Sequence, residues 1–197
     1  MKDFNALFPL FKNSETIKDE KARLRSQIKY LKQELDTEKK QKAAELVFNK
    51  IEGLGLFKNS KTVMIYWATP GELPTQSFIK KWVDSKIIIL PCIKKDKIIL
   101  KSYSTDVNMV QRTLGIWEPD LKEVFDGVID LIIVPGVAFD NNKNRLGRGG
   151  GYYDKLFKRT KTIKIGVGFD CQLVYKIPVN IWDKQLDMII TPSYTIE

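Results

Sequence analysis

Histidine is absent from all 197 residues. That excludes Ser-His-Asp and Cys-His machinery, imidazole acid-base catalysis and His-ligated metal sites in one step. Any chemistry must rest on carboxylates, Lys, Arg, Tyr, backbone amides or an added ion. Cysteine is scarce: Cys92 and Cys171 lie far apart and form no Cys-x-x-Cys pair, so they read as structural thiols and not as a disulfide framework or zinc site. No apolar run approaches the roughly 18 residues of a membrane span. The start has apolar residues from Met1 to Phe11, but Asp3, Asn5 and Pro9 interrupt them and no small-residue cleavage site follows, so a cytoplasmic protein is expected. Internal repeats and low-complexity segments are also missing.

What is present is a chain of one-domain length with 43% hydrophobic residues and a net charge of +9. The lysines are spread along the chain and interleaved with acids. This favours a solvated basic surface over a nucleic-acid face, and it would still attract small anions.

Helical periodicity starts near Glu15, with Lys12-Asn13-Ser14 as an expected cap and Ala22, Leu24, Ile28, Leu31 and Leu35 recurring at threes and fours. Asp36-Thr37 signals a second helix carrying Ala43, Ala44, Leu46, Val47 and Ile51 and stopped by Gly53. Lys61 to Trp67, Lys86 to Pro91, Lys97 to Leu100, Asp130 to Pro135, Ile163 to Gly168 and Met188 to Thr191 read as strands, with a helix from Thr75 to Val83 between the first two. The expected fold class is α/β: a single domain with a largely parallel central sheet flanked by helices and an N-terminal helical pair. Ligands of such sheets gather beyond the carboxyl ends of the strands, so the loops after Trp67 and Val134 are expected to share one cleft.

The densest glycine cluster, in Asn144-Arg145-Leu146-Gly147-Arg148-Gly149-Gly150-Gly151-Tyr152-Tyr153-Asp154, falls between an expected strand and an expected helix bearing Tyr153, Leu156 and Phe157 on one face. Glycines let backbone N-H groups approach an anion, and Arg148 adds a planar donor fork suited to phosphate. A bare glycine triplet is equally compatible with a tight turn. Neither the dinucleotide fingerprint nor the Walker A loop is completed here.

Pro135-Gly136-Val137-Ala138-Phe139-Asp140 followed by Arg145 to Asp154 resembles the signature of the 5-formyltetrahydrofolate cyclo-ligase family, also called methenyltetrahydrofolate synthetases. Lys21-Ala22-Arg23-Leu24-Arg25, Glu72-Leu73-Pro74-Thr75 and Gly115-Ile116-Trp117-Glu118-Pro119 are similar to further elements of that family. The resemblance runs from about residue 18 to 193, leaving residues 1–17 as an extension of unknown role and 18–197 as the cyclo-ligase-like domain. It implies an ATP-dependent conversion of 5-formyltetrahydrofolate to 5,10-methenyltetrahydrofolate, with ADP and phosphate released from a phosphorylated formyl intermediate.

By the same resemblance, ATP is contacted by Lys21, Arg25 and the run Arg145, Leu146, Gly147, Arg148, Gly149, Gly150, Gly151, Tyr152 and Tyr153, with Lys21 and Arg148 serving catalysis. Folate is held by Glu72, Trp67, Arg148, Tyr152 and, more weakly, Trp117. On residues alone Glu72 is a loop acid and Trp67 core; with the resemblance, Glu72 is assigned to the pterin donor edge and to nothing else. Asp154 and Asp187 are the expected Mg2+ ligands. The expected partners are the two small-molecule substrates, with no nucleic acid and no membrane, acting on a monomer. A sugar-phosphate or acyl-CoA enzyme on a similar scaffold would also use a glycine loop, but it would not require Glu72-x-x-Thr75 and Lys21-x-x-Leu24-Arg25 together.

Overall fold

The structure, a computed structural model, describes residues 16–95, 97–112 and 115–197. The expected cap at Lys12-Asn13-Ser14 and most of the 1–17 extension lie outside the described residues. Thr16 instead caps α1 (Ile17–Leu31) through a capping box with Asp19, satisfying two of the backbone donors a helix start leaves open. α2 (Thr37–Gly53) is capped by Asp36, which accepts from the Lys39 amide at 2.8 Å, as its sequence signal predicts. α3 (Gly55–Asn59) then leads into the sheet.

Five parallel strands form the centre: β1 (Thr62–Ile65), β2 (Ile87–Lys94), β6 (Leu131–Pro135), β9 (Ile163–Val167) and β11 (Met188–Ile190). β3 (Lys97–Tyr103) and β12 (Thr195–Ile196) close the two edges antiparallel, giving the order β12-β11-β9-β6-β1-β2-β3. The central strands are largely apolar runs, with Lys164 interrupting β9, because both faces are covered. In β6, Leu131 and Ile133 face a core built with α2, α3 and α4 (Gln76–Trp82), while Ile132 and Val134 face Phe157 of α5 (Tyr152–Phe157) on the other side.

Among the described residues, β12 and five further small elements were not legible as strands. β7 (Ala138–Asp140), β8 (Arg145–Leu146) and β10 (Leu173–Val174) form a second sheet, on which Leu24 and Ile28 of α1 pack against Ala138, Leu146, Val174 and Ile177. β4 (Met109–Gln111) pairs with β5 (Trp117–Pro119) as a hairpin beside β2 and β3. No described helix is long and apolar enough to cross a membrane.

The connections run outward in opposite directions from β1 and β6, one half continuing to β2 and β3 and the other to β9, β11 and β12. Strand order therefore reverses between β1 and β6. Loops leaving their carboxyl ends must diverge to opposite faces, which opens a crevice at that point.

Candidate active site

A cleft of about 980 Å3 occupies this crevice. One wall is the loop after β1, with Trp67, Thr69 and Glu72; the other is the segment from Pro135 to Lys155; the N-terminal part of α1 supplies Lys18, Lys21 and Arg25. The two loops expected to share a cleft do so.

The glycine wall is built by local chemistry. Asp140, 1% exposed, accepts from the amides of Asn142, Asn144 and Ile177 and from Asn144 Nδ2, all within 3.0 Å, so a buried carboxylate shapes the turn that delivers β8. Beyond β8, Gly149 at φ 108° and Gly151 at φ 64° take left-handed conformations that other side chains rarely adopt. α5 follows directly, and Tyr153, Leu156 and Phe157 face the sheet as their spacing predicts.

Arg145 lies beneath this loop with its side chain only 5% exposed. Its guanidinium covers the Tyr153 ring at 5.0 Å, donates to the Pro135 carbonyl at 3.3 Å and stands 3.5 Å from Asp154. Burial lowers its pKa, with Asp154 opposing the shift. Leu146 is likewise 1% exposed, its side chain packed in the α1 contact, so only its backbone can meet a ligand.

Helix α1 holds both ends of the cleft. Lys21 Nζ donates to Asp183, and Arg25 Nε donates to the Gly147 carbonyl at 2.9 Å. Just past α1, Lys32 Nζ donates to the Gly71 carbonyl at 2.7 Å in the opposite wall, and burial lowers the pKa of this lysine. The spacing of Lys21 and Arg25 thus does put both cations on one helix face in the cleft.

Arg148 is half exposed and bridges the walls, its Nη2 donating to Thr69 Oγ1 at 2.6 Å and to Glu72 Oε1 at 2.9 Å. The expectation that Glu72 is assigned to a pterin and to nothing else is therefore corrected: it holds Arg148. Trp67 lines the cleft and packs on Tyr103 with ring centroids 5.3 Å apart; Tyr152 lines it as well.

Two expected site residues are not brought to the cleft. Trp117 sits exposed on the β4–β5 hairpin, and of that turn only Ile116 lines the cavity. Asp187 is exposed and turned to β9, where its Oδ2 accepts from the Lys164 amide at 2.8 Å and from Lys164 Nζ at 2.7 Å. Asp183 stands in the cleft instead, and the amide next to it, Lys184 N, donates to Asp154 Oδ1 at 3.3 Å. Asp154 and Asp183 thus both line the cleft, on segments joined by that hydrogen bond. Sequence reasoning also missed Thr69, Asn180 and Trp182, all in the lining; no spacing signal marks them.

Fold and site together define an α/β enzyme with a glycine loop and a carboxylate-bearing loop facing each other at the switch point of the sheet. The profile of the 5-formyltetrahydrofolate cyclo-ligase family matches residues 17–192. A 5-formyltetrahydrofolate cyclo-ligase of Escherichia coli K12 is 37% identical over 142 residues, 67% of this chain and 78% of that protein. A probable 5-formyltetrahydrofolate cyclo-ligase of Caenorhabditis elegans is 32% identical over 91% of this chain and 96% of its own length. The solution structure of a 5,10-methenyltetrahydrofolate synthetase from Aquifex aeolicus superposes with a TM-score of 0.80 at 32% identity, covering 89% of this chain and 91% of that one. This chain belongs to the 5-formyltetrahydrofolate cyclo-ligase family.

Proposed function

We propose that the enzyme converts 5-formyltetrahydrofolate to 5,10-methenyltetrahydrofolate at the expense of ATP, through a phosphorylated formyl oxygen. The observation that carries this reading is Arg148, set between the glycine loop and Glu72 so that a phosphate donor and a pterin bound on the two walls would meet beside it.

An N-formyl group is an amide, and its carbon resists ring closure because its oxygen is a poor leaving group. The formyl oxygen attacks the γ-phosphorus as the bond to the ADP oxygen breaks. N10 then adds to the activated carbon, the C–O bond breaks to release phosphate, and the N10 proton is lost. The attacking oxygen carries no proton, so the first step needs no general base; a chain without histidine lacks nothing there.

The protein's task is alignment and charge stabilisation. Arg148 and the amides of Gly149, Gly150 and Gly151 are assigned to the phosphates, with Lys21 and Arg25 approaching from α1. Arg145 acts from below, holding Asp154 and the loop. Glu72 accepts from the pterin donor edge, Trp67 packs on its ring, and Tyr152 borders both ligands.

Magnesium fits as an ion arriving with the nucleotide. Among the described residues no group of three or more acidic or cysteine side chains is assembled into a cage. Two hard oxygen donors, Asp154 and Asp183, suit an ion whose other ligands are phosphate oxygens and water. Bound there, it would neutralise phosphate charge. The reading takes the enzyme to work as a monomer in the cytoplasm, a reducing compartment that suits the free thiols of Cys92 and Cys171.

Incubation with 5-formyltetrahydrofolate and Mg-ATP should produce the methenyl chromophore together with one ADP per turnover. Absence of the chromophore under conditions where both substrates bind would overturn the reaction assigned here.

A further inference from the structure

Arg148, Glu72 and Thr69 form a closed ring of hydrogen bonds across the cleft. Arg148 Nη2 donates to Thr69 Oγ1 at 2.6 Å and to Glu72 Oε1 at 2.9 Å, while the Thr69 hydroxyl donates to Glu72 Oε2 at 3.0 Å and the Thr69 amide donates to the same oxygen at 2.9 Å. A hydroxyl has one proton and two lone pairs, so Thr69 can serve both neighbours at once. Its loop is braced independently: Glu72 N donates to Thr69 O at 2.9 Å, and Lys32 and Lys40 donate to the carbonyls of Gly71 and Pro70 at 2.7 and 3.4 Å. The arginine side of the ring stands on the exposed glycine loop.

We propose that Thr69 is a positioning residue that couples the folate and nucleotide sites, by keeping Arg148 beside Glu72 and retaining its guanidinium when either partner is taken. The inference rests on the proposed function. Paired in this way, Arg148 neutralises Glu72, and each is withheld from its own substrate. A pterin that claims Glu72 Oε1 removes the charge partner of Arg148 but not its hydroxyl acceptor, so the guanidinium stays aimed at the incoming phosphates. A phosphate that draws Arg148 away leaves Glu72 held in place by the Thr69 amide and hydroxyl. The first ligand breaks the ion pair and the second does not have to, and linkage makes the gain the same in either order. An ion pair with a half-exposed arginine supports a coupling of about 2- to 5-fold in dissociation constant.

The test is the dissociation constant of 5-formyltetrahydrofolate, measured by titration calorimetry with and without a saturating non-hydrolysable ATP analogue and Mg2+. The parent, Thr69→Val, Thr69→Ala and Thr69→Ser are compared, with melting temperatures to verify folding. The parent and Thr69→Ser are expected to show the analogue tightening folate binding by about 2- to 5-fold. Without the hydroxyl that holds both partners, the half-exposed guanidinium no longer stays beside Glu72, and the valine and alanine variants should fall to within about 1.5-fold of no coupling. Rescue by serine separates the hydroxyl's role from side-chain packing. Uncoupled binding in the parent, full coupling in Thr69→Val or Thr69→Ala, or equal loss in serine and valine overturns the proposal. A parent that makes methenyl product while Thr69→Val stays coupled sinks this inference alone; a parent that makes none sinks the reaction and this inference with it.

Discussion

Lys21 donates to the carboxylate of Asp183, 162 positions further along the chain, so the first helix and the loop before β11 close one end of the cleft as a charge pair. Asp183 therefore fixes a cation assigned to phosphate and lies next to the Lys184 amide that donates to Asp154. Asp183→Asn is expected to lower turnover by about 10-fold or more and to raise the Mg2+ concentration needed for half-maximal rate. Asp187→Asn should remain within about twofold of the parent in turnover and lose at most about 1 kcal/mol of stability, since Asp187 is half exposed and asparagine can still accept from the Lys164 amide. Magnesium titrations of the two variants decide which acid serves the site.

Arg148→Ala should reduce turnover by about 10-fold or more, equivalent to about 1.4 kcal/mol in barrier. Its melting temperature should move little, because half the side chain is exposed. Turnover within twofold of the parent would remove Arg148 from the phosphoryl step.

Glu72→Gln should weaken folate binding by about 10-fold, as one charge-assisted contact to the pterin is lost. ATP affinity should be unchanged or up to about 5-fold tighter, because Arg148 is released from its ion pair. Equal weakening of both ligands would assign Glu72 a structural role.

Much of this arrangement was legible in the chain, and the reasons differ by element. β6, β11 and the central parts of β1 and β2 are buried on both faces and so appear as short apolar runs, while β9 is legible from Ile163, Ile165 and Val167 although Lys164 interrupts it. β8 and β10 have two residues each, too few for a period to show, and they exist because the Asp140 hydrogen bonds and α1 hold them. Asp183 and Asp187 are indistinguishable by spacing. What separates them is the path of the chain: Leu186 N is bound to Lys143 O and Asp187 N to Lys164 O, which turns Asp187 toward β9. The Arg148–Glu72 pair joins residues 76 positions apart, a distance at which no local pattern carries information.

Thr75→Val should destabilise the protein by about 2 to 3 kcal/mol. Thr75 is 0% exposed; its hydroxyl donates to the Tyr66 carbonyl at 2.8 Å and accepts from the Ala68 amide at 3.0 Å. Valine keeps the shape but leaves both backbone groups buried without that partner. Urea denaturation should show a lower midpoint with an unchanged slope.

Cys92 gives a pH test. Burial pushes its thiol up from 9.0 to about 12, so its contribution to stability is complete below the unfolded value and is lost as pH rises toward the folded one. Between about pH 9 and 10.5 the parent should lose about 1.6 kcal/mol more stability than Cys92→Ala, read from denaturation midpoints across that range. Parallel curves for the two proteins would show that Cys92 does not titrate in this way.

Helix α1 leaves the ribosome before its partners Gly147 and Asp183, which follow it by 122 and 162 positions. At about 5 to 20 residues per second, the interval before Asp183 is made is about 8 to 30 s. During that time Leu24 and Ile28 lack the surface formed by Ala138, Leu146, Val174 and Ile177, and a helix of 15 residues is marginal in water alone. The cleft is thus completed only after Asp183 has been made. Translation products ending before Asp183 would carry the glycine loop and the carboxylate loop but not the clamp that closes the site.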